Sequence, residues 1–341
     1  MKKELDAKTA SLYRKAGELA LRKFGVHHLS KSSADGLLDC VNKFHFKSQF
    51  VTAKPSLTLG TICHSVLEQA ADALIPFTDK IDLNNIDIEK INQEFKVFRD
   101  AVFEPLDLEL MFLTAAKDAL DEIANNKSEV LYQEGQDLLS FTDEINATVE
   151  TLTKSLTKSH LKELLDGPII GSEIPVIYFA GEGRIPYLGY IDLLKLGPDG
   201  HLRIVDLKTT FSSNQNVWKS PMTKFQLWLY AQALKQMGIV TYLPDGEIDR
   251  AVIDLGARRK VKPTSYKVTV EKGVVYQLQR YDKAFNNVIN YAEKLVEGNV
   301  EIYARGQYGC AGCDYKNVCP NKILSDDWVF NKEVSENAEN D

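Results

Sequence analysis

Three apolar stretches separated by glycine-rich turns decide the fold of this chain. They read IIGSEIPVIYFA at residues 169–180, IPYLGYIDLLKL at 185–196 and HLRIVDLKTT at 201–210. GEG separates the first two and GPDG the last two. Short apolar runs bounded by such turn residues predict two hairpins, or three consecutive strands.

The elements that follow complete the prediction of an α/β core. A helix is expected from Met222 to Gln236, after Pro221, and a strand near 250–258, where the sequence is RAVIDLGAR. Another strand is expected at about 265–270 and a long helix at about 275–297. Strands interleaved with helices in this order favour a mixed sheet flanked by helices.

Charge is distributed unevenly along the chain. The 341 residues carry a formal net charge of −7, which argues against a protein that grips nucleic acid through bulk positive potential. However, residues 71–150 sum to −13, whereas residues 1–70 sum to +5 and residues 201–280 to +7. The acidic block has apolar residues at helical spacing and no glycine before Gly135, so it is expected to be helical. The basic segments remain available for phosphate contacts.

Targeting signals give an expectation about location. No apolar run approaches the roughly 20 residues that cross a bilayer, and the start MKKELDAKTA lacks the apolar stretch of a secretion signal. We expect a cytoplasmic protein, of a bacterium or a phage-infected cell, with no membrane partner.

Two carboxylates and a lysine are expected to meet at one site. Asp206 and Lys208 lie two residues apart in an apolar strand, so their side chains point to the same side. A hairpin through 197–200 brings Asp192 beside them. Such a trio suits metal-assisted phosphodiester hydrolysis, with oxygen ligands for Mg²⁺ or Mn²⁺ and a cation near the attacking water. The alternative is an ordinary ion pair on a half-exposed strand.

Helical positions offer supporting side chains. Gln226 and Tyr230 lie four residues apart on one face of the predicted helix. His64 and Glu68 are one turn apart on another probable helix, which suits a metal ligand and its partner. Glu173 could add a carboxylate. Each has an ordinary alternative: a structural histidine, a helix surface or a solvated glutamate.

The cysteines suggest an inorganic centre. Cys310, Cys313 and Cys319 stand in YGCAGCDYKNVCP, and Cys40 is the candidate for a fourth ligand, which leaves Cys63 as a bystander beside His64. Glycines let the backbone wrap such a centre. Spacing alone does not separate an iron-sulfur cluster from a structural zinc ion, and unrelated free thiols are the remaining alternative.

At this point the sequence resembles the RecB-like branch of the PD-(D/E)XK nuclease superfamily. The motifs, in the order of that branch, are S-x-x-D-x-L-L-x-C at 32–40, G-x-x-x-H at 60–64, Glu173, G-Y-I-D at 189–192, D-L-K-T at 206–209 and Q-x-x-x-Y at 226–230. The early cysteine followed by C-x2-C-x5-C resembles the iron-sulfur nucleases of the same branch: AddB, exonuclease V and the nucleases of CRISPR adaptation.

The resemblance implies a restriction-endonuclease-like core, with a mixed central sheet flanked by helices. It implies that the catalytic metal is bound by His64, Asp192, Asp206 and the carbonyl of Leu207. It implies that Lys208 orients or deprotonates water. It assigns support of the site to Glu173, Gln226 and Tyr230. It also implies a structural [4Fe-4S] cluster on Cys40, Cys310, Cys313 and Cys319.

Five segments are expected. They are N-terminal helices at 1–70, an acidic helical insertion at 71–165, the nuclease core at 166–300, the cysteine segment at 301–325 and a disordered acidic tail at 326–341.

The leading functional hypothesis is a metal-dependent DNA nuclease, an exonuclease on single strands or duplex ends. Basic residues of 201–280 would contact phosphates; they include Lys219, Lys224, Arg258, Arg259, Lys260 and Lys262. DNA recombination, repair or replication, in a phage or within a larger complex, is the expected setting, with recombination, helicase or single-strand-binding proteins as partners. The alternatives are a non-cleaving DNA-end-binding subunit with the nuclease fold and an iron-sulfur redox or sensing protein.

Overall fold

The computed structural model describes most of the chain between residues 50 and 268. The described ranges are 50–78, 87–133, 135–155, 157–179, 186–210, 221–254, 260–268 and 313–319, with the single residues 29, 30, 34, 40, 43, 46, 283, 286, 287, 290 and 310. Of the helix predicted at 275–297, four positions are described, and all four are helical. The acidic tail predicted at 326–341 lies outside the described residues.

Seven helices and seven strands make up the named elements of these ranges. In chain order they are β1 (Phe50–Thr52), α1 (Pro55–Asp72), α2 (Ile75–Thr78), α3 (Ile88–Phe103), α4 (Leu108–Ala124), β2 (Glu129–Leu131), α5 (Leu138–Ser155), α6 (Lys158–Leu164), β3 (Ile169–Tyr178), β4 (Tyr187–Leu196), β5 (Leu202–Thr210), α7 (Pro221–Gln236), β6 (Asp245–Asp254) and β7 (Lys260–Val268).

A five-stranded mixed sheet of order β3-β4-β5-β6-β7 forms the centre of the fold. Neighbouring strands are antiparallel except for β5 and β6, which are parallel and are connected by way of α7. A parallel pair needs a long crossover, which the helix provides. The three strands predicted at 169–210 and the helix predicted at Met222–Gln236 are confirmed, as is the mixed α/β fold.

The last two strands begin earlier than the sequence pattern predicted. The strand predicted near 250–258 is β6, which starts at Asp245, and the one predicted at 265–270 is β7, which starts at Lys260. The residues Asp-Gly-Glu at the start of β6 have low strand propensity. They are extended because they pair with β5, from Arg203 opposite Asp245 onward. Tertiary pairing overrides local propensity here.

Helices cover one side of the sheet and share its core. Phe95, Phe103, Phe112 and Phe141 of α3, α4 and α5 are fully buried in one cluster that includes residues of α1 and of β4 and β5. The apolar residues that predicted helices in the acidic block are therefore core residues. Asp87 and Asp107 are the N-cap residues of α3 and α4. Each side chain accepts a hydrogen bond from the backbone N–H of the third residue of its helix.

A small second sheet joins this helical region to the start of α1. β1 and β2 are parallel, with Val51 opposite Val130, and β2 lies between α4 and α5. This pairing was not predicted, because both strands have only three residues. Among the described residues, no helix is both long and apolar enough to span a membrane.

Candidate active site

β4 and β5 separate at the residues that the sequence singled out. Their pairing runs from Leu196 and Leu202 to Leu193 and Val205, and ends there. Beyond that point β4 continues its pairing with β3, and β5 continues with β6. The two strands therefore form a fork, and the next residue on each branch is Asp192 and Asp206.

Asp192 joins the two branches of this fork. Its Oδ2 accepts a hydrogen bond of 2.6 Å from the backbone N–H of Leu207 on β5. Its Oδ1 lies 3.6 Å from Nδ1 of His64, which α1 brings to the fork. Backbone pairing between β4 and β5 has ended here, and the Asp192 carboxylate accepts the hydrogen bond from the Leu207 N–H in place of a backbone carbonyl of β4. The same carboxylate also lies next to α1 through His64.

Glu173 completes a group with donor atoms suited to a metal ion. One ligand atom from each of His64, Glu173 and Asp192 lies within 4.8 Å of the other two. Glu173 has a φ of 44°, in the left-handed region that non-glycine residues rarely adopt. Its neighbours in β3 pair with Leu193 and Ile191, so it stands opposite Asp192. Backbone strain of this kind concentrates at functional sites.

Asp206 and Lys208 form a tight ion pair beside that group. Lys208 Nζ donates to Asp206 Oδ1 at 2.8 Å and lies 2.7 Å from Oδ2. Asp206 is only 1% exposed, whereas the Lys208 side chain is 36% exposed. The pair is therefore not the ordinary surface ion pair considered as the alternative. Asp206 adjoins the three grouped residues, since its charge acts on both His64 and Asp192, and its role as a metal ligand stays a prediction.

Electrostatics at the fork favour a bound cation. Burial, and then the negative charge of Asp206, raise the pKa of Asp192 to about 7, against the opposing effects of Lys208 and the Leu207 N–H. Burial and then Lys208 lower the pKa of His64, although a hydrogen bond with the Leu207 backbone raises it. At neutral pH His64 is therefore uncharged and keeps a lone pair for a metal.

α7 supports the fork from behind. Gln226 Nε2 donates to the Tyr230 hydroxyl at 2.9 Å, which agrees with the expectation that the two side chains share one face of the helix. Burial, followed by the charge of Asp206, raises the pKa of the Tyr230 phenol, which stays protonated. A Cβ at Gly189 would lie 2.4 Å from the Tyr230 ring. Glycine is required at this position of the G-Y-I-D motif because the helix packs directly on the strand.

The cysteine segment contacts the N-terminal part of the chain. The rings of Phe46 and Tyr315 lie 6.0 Å apart, and Lys54 forms an ion pair with Asp314. Burial raises the pKa of Cys313, and the charge of Cys40 contributes in the same direction. Cys40 is therefore near enough to Cys313 to interact with it electrostatically.

The four cysteines are spaced more widely than the three candidate ligands of the fork. All four are described, yet they do not form a group of ligand atoms as close as that of His64, Glu173 and Asp192. Cys63 is separate from them: burial raises the pKa of its thiol to about 12, so it remains protonated.

Comparison with known proteins gives the family. The family model of the PD-(D/E)XK nuclease superfamily matches residues 28–320. This chain belongs to the PD-(D/E)XK nuclease superfamily. None of the curated proteins matches it significantly.

Two solved structures are similar to this PD-(D/E)XK nuclease. A protein from Eubacterium rectale, assigned as an exonuclease, has a TM-score of 0.42 and 13% identity, over 94% of this chain and 96% of that one. SSO0001 has a TM-score of 0.32 and 13% identity, over 61% of this chain and 96% of that one. Both TM-scores lie below 0.5, so family membership rests on the family model.

The motif residues of the nuclease meet as neighbours, in an arrangement that sequence reasoning gave only in part. His64, Asp192, Asp206, Lys208 and the Leu207 backbone lie together at the fork. One feature was missed, the strained backbone of Glu173. No local signal predicts it, because it arises where β3 and β4 pair. The contact of Asp206 with Lys208 agrees with their two-residue spacing in a strand.

Proposed function

We propose that this chain is a divalent-metal-dependent deoxyribonuclease that hydrolyses phosphodiester bonds, acting as an exonuclease on single-stranded DNA or DNA ends. The observation that carries the proposal is the convergence of His64, Glu173 and Asp192 beside the Asp206–Lys208 ion pair. Ligands for a cation and a separate ammonium group are the combination that phosphoryl transfer to water requires.

The donor set suits Mg²⁺ or Mn²⁺. Its two carboxylates are hard oxygen ligands of the type these ions bind, and one imidazole from a third element joins them. Burial, and then the negative charge of Asp206, raise the pKa of Asp192, and a bound cation would offset both effects by stabilising the ionised carboxylate. When bound, such an ion lowers the pKa of a water ligand and offsets charge on the phosphate.

The remaining residues have distinct roles in this proposal. Lys208, which pairs with Asp206 and is partly exposed, donates to the attacking water or to a phosphate oxygen. Asp206 fixes the position of that ammonium group. Tyr230 and Gln226 hold β4 in place through Gly189 and keep a neutral hydroxyl behind the carboxylates. Asp192 and His64 hold the two branches of the fork and α1 together.

We also propose that Cys40, Cys310, Cys313 and Cys319 bind a [4Fe-4S] cluster. The proximity of Cys40 to Cys313 and the contacts of Tyr315 and Asp314 with the N-terminal segment support this. A zinc ion would hold four sulfurs at about 2.3 Å each, which requires a closer group than the cysteines form. Absorption near about 400 nm that reductant bleaches separates the two.

The expected biological setting is DNA recombination, repair or replication, in a phage or as part of a larger complex. DNA is the primary partner, with recombination, helicase or single-strand-binding proteins as further ones. The basic residues of the core, such as Lys224, supply phosphate contacts in this view.

A cleavage assay tests the enzyme proposal. Single- and double-stranded DNA, labelled at the 5′ or the 3′ end, is incubated with the purified full chain and Mg²⁺ or Mn²⁺, with and without chelator. We expect cleavage that needs the metal and falls at least about a hundredfold in Asp206→Asn, since the ammonium loses its charged partner. Asp118→Asn, which changes an exposed aspartate of α4, is the control. Unchanged cleavage in Asp206→Asn would refute the proposed site.

A further inference from the structure

The opening of the fork contains an exposed aromatic side chain that the roles above do not use. Eight of the ten residues of β4 are buried, and the two that are not are Tyr190 and Asp192. Tyr190 is 50% exposed. Solvent therefore reaches β4 at two side chains, a carboxylate of the metal group and a large ring.

The two side chains are placed to contact one molecule. Alternate residues of a strand point to the same side, about 6.6 to 6.8 Å apart. This is about twice the rise of 3.4 Å per nucleotide of a DNA strand. A strand whose phosphate lies at Asp192 can therefore place a base, one or two nucleotides away, at Tyr190.

The ring is mounted on a rigid piece of backbone. Gly189, on one side of it, packs against Tyr230, and Ile191, on the other, is fully buried. Tyr190 also pairs with Pro175 of β3. A tyrosine has only two side-chain torsions to fix, so a ligand that contacts it loses little conformational freedom on binding.

We propose that Tyr190 stacks on a nucleobase next to the scissile phosphate and thereby gives the site its preference for unpaired strands. This inference rests on the proposed nuclease function. Base–aromatic stacking strengthens binding without sequence preference, because every base has a flat face. In a duplex those faces are covered by neighbouring pairs, so a base must leave the stack before it meets the ring. Unpaired DNA avoids that cost.

Binding measured without cleavage provides the first test. The full chain is titrated with a fluorescently labelled single-stranded oligonucleotide in chelator, and anisotropy is followed. We expect Tyr190→Ala to weaken binding about five- to a hundredfold and Tyr190→Phe to recover most of the loss, because it keeps the ring. Tyr242→Ala is the matched control, since Tyr242 is 41% exposed in the turn after α7. Equal affinity of Tyr190→Ala and wild type would overturn the proposal.

Abasic substrates provide a readout that a merely structural role would not change. A single abasic nucleotide is moved along the oligonucleotide, and affinity is measured at each position. In wild type we expect one position, beside the cleaved bond, to weaken binding by the same factor as Tyr190→Ala, and this loss to be absent in Tyr190→Ala. If each abasic nucleotide weakened binding by the same factor in Tyr190→Ala as in wild type, at every position, stacking would be contradicted.

The outcomes separate this inference from the nuclease proposal. Wild type that binds DNA in chelator but never cleaves it would refute the nuclease function, and the abasic scan would still decide the role of Tyr190. Wild type that neither binds nor cleaves DNA would refute both. Cleavage with a preference for unpaired DNA that persists in Tyr190→Ala would refute the inference alone.

Discussion

At the scale of single residues, Asp192 serves two opposing requirements. Its carboxylate is buried and lies beside Asp206, so a cation would stabilise its charge, and the same burial and repulsion oppose folding when no cation is present. The pKa of Asp192 is raised to about 7, so the folded state binds this proton more tightly than the unfolded chain does. Its contribution to stability is therefore full below about pH 4 and is lost as pH rises towards 7.

Asp192→Asn should therefore stabilise the metal-free protein. The amide still accepts the Leu207 hydrogen bond but carries no charge. At pH 8 in chelator we expect a gain of about 1 to 3 kcal/mol in the free energy of unfolding, because the buried charge and its repulsion with Asp206 are both removed. Denaturant unfolding of both proteins at pH 5 and pH 8 measures it. A variant less stable than wild type at pH 8 would contradict the electrostatic account.

Lys208→Ala should destabilise the protein by about 1 to 3 kcal/mol, because it leaves the buried Asp206 carboxylate without its partner. Adding Asp206→Asn should restore most of that stability and none of the cleavage. A double-mutant cycle by thermal unfolding and cleavage rate measures both. If the stability changes of the two single variants simply add up in the double variant, the pair is not coupled.

At the scale of elements, close packing on glycine positions the strands of the fork. A Cβ at Gly189 would meet the Tyr230 ring at 2.4 Å, whereas one at Gly60 would meet only the Thr209 hydroxyl, at 3.1 Å. A ring packed between a helix and a strand cannot move as a hydroxyl can. The contact of α7 with β4 therefore leaves no room for an added methyl group, whereas the contact of α1 with β5 can adjust to one.

Gly189→Ala should accordingly cost about 1 to 3 kcal/mol of stability, the usual effect of overpacking. Gly60→Ala should be close to neutral, since helix propensity gained within α1 offsets the tighter contact. Thermal unfolding of the two variants checks this contrast. If Gly60→Ala were the more destabilising, the packing of α7 on β4 would not be what positions the fork.

The local spacing of apolar residues and turn residues predicted the strands and helices of the core. It did not predict how strands distant in sequence pair with one another. Asp206 and Lys208 could be placed side by side because the side-chain period of a strand is two. The end of β4–β5 pairing at Leu193 could not be predicted, since it depends on β3 and β6 competing for the two branches. The left-handed Glu173 and the early start of β6 follow from the same non-local pairing.

At the scale of the whole molecule, the two ends of the chain are joined near the cysteines. Phe46 and Lys54 contact Tyr315 and Asp314, so residues more than 250 positions apart meet. α1, which carries His64, begins one residue after Lys54. Loss of this junction should therefore loosen the helix that delivers a ligand to the fork.

Cys313→Ala should lower iron content and thermal stability first, and cleavage as a consequence. Cys63→Ala is the control, because the Cys63 thiol is protonated and lies apart from the junction. Iron analysis, absorption near about 400 nm and thermal unfolding of protein purified without oxygen measure the effect. A Cys313→Ala protein that kept its full iron content would rule out Cys313 as a ligand of the cluster.

The most direct test of the metal-dependent site is the cleavage rate of a 5′-labelled single-stranded oligonucleotide as Mn²⁺ is titrated into metal-free protein. Wild type and Asp118→Asn should share one saturating curve. Asp192→Asn, although folded and more stable, should stay at least about a hundredfold below it at every Mn²⁺ concentration. An Asp192→Asn protein that reaches the wild-type rate would show that the fork is not the site of cleavage.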